Sequence, residues 1–341
     1  MSKVGIIANP AAGKDVRRLV AHASVTDNAK KAGIVRRAIA ALSAIGVDEI
    51  VIMPDSSSLG LRALEGIRQE ELKCHICLVD MLTTGSVNDS IVAARLMNEL
   101  GVNCIITVGG DGTNRAVAHT CGDVPLVPIS TGTNNVFPFM VEGTTAGLAA
   151  GIVARGLVDG DRCVAKTKRL NIIKNDCFVT LALIDVVVLV ETFIGSKAIL
   201  DMSKAREIIA VQVHPSYIGM ASIGGSFYPI GADDDEGLYI RLGKGKMRVQ
   251  AAVAPGLIRE VEIEKFRVLN LGDKVELTDK PSILALDGER EVEIYPEDRV
   301  EIELCKDGPR VVRIKETLEE AVKNGFFVRN RKETGGGFHE A

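Results

Sequence analysis

Cys104-Ile105-Ile106-Thr107-Val108-Gly109-Gly110-Asp111-Gly112-Thr113 is the stretch that decides the fold. Its first half is a nearly unbroken apolar run, the pattern of a strand buried on both faces of a parallel sheet. Its second half is a glycine turn leading into a helix expected from about Thr113. Glycines let a backbone come close to a polyphosphate and leave its N–H groups pointing at the oxygens. The positive end of the helix adds to that anion site. Open α/β sheets hold their ligands beyond the carboxyl ends of strands, which is where this turn falls. Asp111 does not suit a phosphate, because like charges repel; it suits a magnesium ion or a proton to be removed. A tight turn with a solvated aspartate explains the same five letters taken alone.

Working outward, strand and helix signals alternate. Apolar runs at residues 4–8, 49–53, 76–79 and 126–129 read as further strands. Helical spacing covers residues 29–45, with Ile34, Ala38, Ala41, Leu42 and Ile45 three or four apart, and recurs at 59–67 and 87–100. This is a Rossmann-like open parallel sheet, α/β in class, expected over residues 1–142. From about Gly160 the pattern turns to strands: residues 178–190, 247–253, 258–268, 274–277, 292–294 and 300–304. Turns such as Leu286-Asp287-Gly288-Glu289 and Lys306-Asp307-Gly308-Pro309 separate them. An all-β domain, a β-sandwich, is expected over 143–314, joined by a linking helix at 144–155. A last helix at 316–324, within a segment 315–328, is expected to return to the first domain, and the polar, glycine-rich residues 329–341 to form a mobile tail.

Composition narrows the class. The 341 residues are 46% hydrophobic and 25% charged, with a formal net charge of -4, so two cores are affordable and no basic footprint for nucleic acid exists. The most apolar segment, 178–190, is interrupted by Asp185 and falls short of the roughly 20 residues of a membrane helix. No signal-peptide layout opens the chain, and the cysteines are expected to stay reduced, which predicts a cytoplasmic protein. Cys74, His75 and Cys77 lie together, but in a run that reads as a buried strand rather than a metal site. The acidic run Asp233-Asp234-Asp235-Glu236 reads as a solvated turn, and Lys166, Lys168 and Arg169 read equally as contacts to substrate phosphates or as an exposed strand face.

Three more loops fall at the same sheet edge. Asn9-Pro10-Ala11-Ala12-Gly13-Lys14 follows the first strand and is not a Walker loop. Thr83-Thr84-Gly85-Ser86 follows the third. Ser130-Thr131-Gly132-Thr133-Asn134-Asn135 follows the fifth, with hydroxyls and amides suited to phosphate oxygens or nucleotide edges. Four polar, glycine-bearing loops on one edge point to a nucleotide crevice.

Taken together, Asn9-Pro10-x-x-Gly13-Lys14, Gly109-Gly110-Asp111-Gly112-Thr113 and Gly132-Thr133-Asn134-Asn135 resemble the NAD kinase and diacylglycerol kinase superfamily. The wording of residues 128–138 is similar to its ATP-NAD/AcoX branch, whose founding members are associated with acetoin catabolism. The likeness runs on through Gly147-Leu148-Ala149-Ala150-Gly151 and Asp287-Gly288-Glu289. It implies two domains with ATP and an acceptor between them. It also implies transfer of a phosphoryl group to a hydroxyl, with NAD the expected acceptor, Mg²⁺ the expected cofactor and a homo-oligomer the common assembly. Asp111 matches the acid with which NAD kinases activate the acceptor hydroxyl, and is the expected Mg-ATP organiser. Asp287 matches the base of the bacterial lipid kinases. Asn9, Gly13, Thr113, Thr131, Gly132, Thr133 and Asn134 match positions that contact ATP. The remaining residues of these loops, Pro10, Lys14, Thr84, Gly109, Gly110 and Gly112, are expected beside it, with Asn135, Gly288 and Glu289 facing the acceptor side.

Two positions depart from the family patterns. Asn135 stands where bacterial lipid kinases carry an aspartate. Asn114-Arg115-Ala116-Val117-Ala118-His119 lacks the Asn-Glu or Asn-Asp pair of NAD kinases. The acceptor is therefore left open among NAD, a diacylglycerol-type lipid and an acetoin-related metabolite. A nucleotide-binding regulatory protein without catalysis is the alternative from another class. A dinucleotide oxidoreductase fails for want of a G-x-G-x-x-G loop.

Overall fold

Asp27 opens the first long helix. Its carboxylate accepts from Lys30 N at 2.7 Å, and Val35, Ala38, Ile39 and Leu42 then face inward at helical spacing. In the computed structural model, which describes residues 1–13, 26–191 and 202–328, this helix is α1 (Asn28–Ala44) and follows β1 (Lys3–Ala8). The alternation continues through β2 (Glu49–Ile52), α2 (Leu59–Leu64), β3 (His75–Leu78), α3 (Val87–Glu99), β4 (Cys104–Gly109), α4 (Asp111–Ala118), β5 (Leu126–Ser130) and α5 (Gly143–Ala154). The strands run parallel in the order β3-β2-β1-β4-β5.

Both faces of this sheet are covered, as its apolar runs require. Val4, Ile6, Ile50, Ile52, Ile106 and Val108 pack under α1 and α5, while Ile7, Val51 and Ile105 pack under α3 and α4. The approach of α5 to α1 depends on glycine: a β-carbon on Gly147 would stand 2.6 Å from the Ala38 carbonyl oxygen. Two strands from far along the chain complete the sheet. Arg310–Val312 lies parallel to β5, and Val164–Lys166 antiparallel beyond it. The helix Ile314–Lys323 then packs on α5.

The remaining strands form two antiparallel sheets. One has the order Leu257–Asn270, Glu236–Ala254, Ala205–Ala210, Asp185–Leu189, Ser282–Leu286, Glu289–Ile294; the other runs Lys274–Glu276, Val300–Cys305, Arg169–Lys174, Cys177–Ala182. Leu170, Ile172, Val186, Val188, Ile209, Leu284, Leu286 and Ile302 fill the space between them, making the expected sandwich. The outer face of the larger sheet is covered in turn by the helix Met220–Gly225 and by Phe137 from the loop after β5.

Three expectations are corrected, and two fall outside the described residues. The run 178–190 is two strands in different sheets, Cys177–Ala182 and Asp185–Leu189, because the chain bends at Leu183 and Ile184 to aim three successive N–H groups at Asp287. α4 starts at Asp111, two residues earlier than the glycines suggested. Lys168 is buried rather than exposed, its ammonium donating to the carbonyls of Gly231 at 3.0 Å and Glu236 at 2.6 Å. Lys14 and residues 329–341 lie outside the described residues.

Candidate active site

The order β3-β2-β1-β4-β5 reverses direction between β1 and β4, so the loops leaving these two strands part and leave a crevice at their carboxyl ends. Asn9 ties the two sides together. Its Nδ2 donates to Thr113 Oγ1 at 2.9 Å, while its Oδ1 accepts from Ala11 N at 2.8 Å. Beneath this loop sits a residue the sequence reading missed. Lys31 of α1 is fully buried, and its Nζ donates to the carbonyls of Asn9 at 3.0 Å and Pro10 at 2.9 Å. A lysine three residues before Ile34, on the apolar face of the expected helix, was the available signal. Gly13 closes the loop with φ +72°, and a β-carbon there would lie 3.0 Å from the Thr131 carbonyl, so the first and third loops touch.

The glycine turn itself has no room for side chains. A β-carbon on Gly109 would meet Thr113 Oγ1 at 2.5 Å, and one on Gly110 would meet Asn135 Oδ1 at 2.9 Å. Gly110 is the N-cap of α4 and contributes no side-chain cap, which leaves first-turn N–H groups available to an anion. Asp111 is half-buried in that first turn. Its carboxylate accepts from Phe137 N at 2.8 Å and Val136 N at 3.1 Å, fastening the glycine turn to the loop after β5.

That loop supplies a cavity of about 560 Å³, lined by Ser130, Thr131, Gly132 and Thr133 on one side and Thr26 and Lys30 on the other. It lies beside the glycine turn rather than at it. Thr131 is buried, and its Oγ1 has no hydrogen-bond partner among the described residues. Such a hydroxyl costs free energy unless a ligand or water meets it. Asn134 is half-buried next to Gly132, and Asn135 Nδ2 donates to Ser130 Oγ at 2.8 Å. Thr84 stands apart: its hydroxyl and N–H donate to Asp89 at 2.7 and 2.9 Å, shaping the start of α3 after β3, which β2 and β1 separate from β4.

From the sandwich, the hairpin joining Ser282–Leu286 to Glu289–Ile294 turns on Asp287 and Gly288, with φ +50° and +86°. Two consecutive left-handed residues match the twist of a tight hairpin, and Asp-Gly is a preferred pair for them. The Asp287 side chain has no exposed surface. Oδ1 accepts from Ile184 N at 2.8 Å, Leu183 N at 3.1 Å and Asp185 N at 3.3 Å, and Oδ2 lies 3.3 Å from Arg115 Nε. Burial pushes its pKa up, against the pull of Arg115 and the backbone donors. Arg115 also forms a two-pronged pair with Glu291, one prong at 2.6 Å. One buried guanidinium on α4, four residues after Asp111, thus joins the glycine turn to the second domain. The sequence reading saw Arg115 only as a departure from a family pattern. Its buried role becomes visible only once Asp287 and Glu291 arrive from 170 residues further on.

Glu289 completes the meeting of the two domains. Its Oε1 lies 3.3 Å from where a β-carbon of Gly112 would stand, and the residue is half-buried. Glu289 therefore reaches the first turn of α4 from the sandwich, at the residue that follows Asp111.

Comparison with known proteins agrees with this arrangement. The family described as ATP-NAD kinase N-terminal domain matches residues 4–157, and the acetoin catabolism protein X C-terminal domain matches residues 168–307. Acetoin catabolism protein X of Cupriavidus necator is 37% identical over 312 residues, 88% of this chain and 87% of that protein. Yeast NADH kinase complexed with NADH superposes with a TM-score of 0.50 over 98% of this chain and 90% of its own, at 13% identity, a likeness of fold. An NAD kinase from Archaeoglobus fulgidus in complex with ATP gives 0.44 at 14% identity, over 96% and 100%.

Proposed function

This chain belongs to the ATP-NAD kinase family, in the branch of acetoin catabolism protein X, and on that premise we propose that it is an ATP-dependent kinase acting on a small-molecule hydroxyl, with NAD the first candidate acceptor. The observation that carries the reading is the glycine turn bearing Asp111, met at Gly112 by Glu289 of the sandwich and tied to that domain by the buried Arg115–Asp287–Glu291 group.

In this scheme the first-turn N–H groups of α4 and the closely packed glycines receive the phosphates, and Thr131 Oγ1 gains the partner it lacks among the described residues. Asp111 takes the proton of the acceptor hydroxyl as its oxygen bonds to the γ-phosphorus. The bond to the β-phosphate oxygen breaks, and ADP leaves. Asp287 is enclosed by three backbone N–H donors and the Arg115 guanidinium, so its part is to hold Arg115 and keep the domains in register. Mg²⁺ fits the oxygen donors at this turn: Asp111 and Glu289 would hold it together with phosphate oxygens, and it neutralises phosphate charge when bound. Asn135 offers an amide bonded to Ser130 in place of a carboxylate, which does not favour the lipid-kinase pattern.

The test is ADP release from Mg-ATP against NAD, NADH, diacylglycerol, sphingosine and small diols. Turnover of NAD that disappears in Asp111→Asn supports the full reading. Turnover with another acceptor alone removes NAD. ATP binding without turnover on any of them overturns the kinase reading in favour of a regulatory nucleotide-binding protein.

A further inference from the structure

The outer edge of the first sheet carries a cluster that plays no part in the kinase scheme. In the sequence, His75 lies between Cys74 and Cys77, but the pleat separates them. Cys74 packs toward the α1 side of the sheet and Cys77 toward the α3 side. His75 and Cys77 are two residues apart on β3 and so project from the same face. The parallel register sets His75 opposite Glu49 of β2. The third donor therefore comes from the neighbouring strand rather than from Cys74.

The three donor atoms lie within 4.8 Å of one another. Glu49 Oε1 is 3.5 Å from His75 Nδ1 and 3.6 Å from Cys77 Sγ. Metal–ligand bonds of about 2.0–2.3 Å at tetrahedral angles put ligand atoms about 3.3–3.6 Å apart, so these two edges already have the separation of a coordinated site. The other oxygen of Glu49, Oε2, is held by Lys3 Nζ at 3.0 Å. That contact leaves Oε1 turned toward the histidine and the thiol, the kind of outer contact that orients a ligating carboxylate. The His75 side chain is 68% exposed and needs no core rearrangement to swing onto an ion.

We propose that Glu49, His75 and Cys77 form a surface site for a borderline-soft divalent cation of the zinc class, with water in the fourth position. One nitrogen, one sulfur and one oxygen donor suit zinc rather than magnesium or calcium, which prefer oxygen alone. The site sits on paired strands of the rigid sheet, so its geometry exists before the metal arrives. It is independent of the kinase reading and is tested without any acceptor.

The probe is Co²⁺, titrated into the full chain after chelation and followed by absorption. The expected result is one Co²⁺ per chain with a thiolate-to-cobalt charge-transfer band, displaced by Zn²⁺. Cys77→Ser removes the band and Cys74→Ser leaves it. His75→Ala and Glu49→Gln each weaken affinity at least about tenfold, the effect that even an outer partner of a metal site carries. Metal-free unfolding temperatures of His75→Ala and wild type should coincide, because the altered side chain is exposed, which keeps the comparison sound. Absence of the thiolate band, or its survival in Cys77→Ser, overturns the proposal.

Discussion

Replacing Arg115 by methionine should separate the two domains energetically. In the folded protein its guanidinium, 6% exposed, lies beside Asp287 and pairs doubly with Glu291. Methionine fills much of the volume but leaves Asp287 buried with backbone partners alone. Removing one member of a buried pair destabilises by about 3–5 kcal/mol. Three N–H groups still face the carboxylate, so the lower end, about 3 kcal/mol, is expected. For one cooperative unit of 341 residues that lowers Tm by about 4 °C. The deficit should also depend on pH. The Asp287 pKa is raised above the ordinary value of 3.8, and loss of Arg115 raises it further. Between the unfolded and folded values the native state keeps a proton that the unfolded chain has released. The contribution of this group is therefore fullest below about 3.8 and is lost as pH rises through the folded pKa, so the variant's deficit should shrink on acidification. Thermal unfolding of Arg115→Met, Asp287→Asn and the double variant between pH 5 and 8 provides the assay. The double variant should be less destabilised than the sum of the singles. A loss below about 1 kcal/mol at pH 7, within the range of an exposed ion pair, would refute the claim that this contact holds the domains together.

The other outcomes are more local. Gly147→Ala should destabilise by about 1–3 kcal/mol, because the new β-carbon meets the Ala38 carbonyl at 2.6 Å and forces α5 away from α1; a neutral or higher Tm, as helix propensity alone predicts, would rule out the close approach. Asp111→Asn should lower kcat by about 10²- to 10⁴-fold while ATP is still bound, a split readable by steady-state kinetics and nucleotide titration. Lys168, with a pKa pushed by burial from 10.5 down to about 8, releases its proton in the folded state before the unfolded chain does. Wild-type stability should accordingly gain between pH 8 and 10 relative to Lys168→Met. Parallel pH profiles for the two proteins would contradict that burial.

Much of the first domain was legible in the letters because local rules govern it. Apolar runs give parallel strands, spacing gives α1 and α3, and glycines after β4 give the turn. The strand boundary at Leu183 and Ile184 was not legible. Nothing in an apolar run says that its backbone must bend to serve a carboxylate 100 residues away. The burial of Lys168 escaped for the same reason, since its acceptors are carbonyls of Gly231 and Glu236.

For the site, sequence alone determined which loops stand at the sheet's carboxyl edge, because strand order and strand direction place them there. It also singled out Asp111 and Asp287, whose turns have distinctive local chemistry. Only the tertiary structure decided how those residues are used. Asp111 fastens two loops of its own domain, Asp287 is sealed around Arg115, and Glu289 reaches the glycine turn from the other domain. It likewise took Cys74 out of the edge cluster and put Glu49 in. The physical reason is common to both cases: a side chain's partner is set by pleat, register and domain packing, and these join residues whose separation along the chain carries no record of the contact.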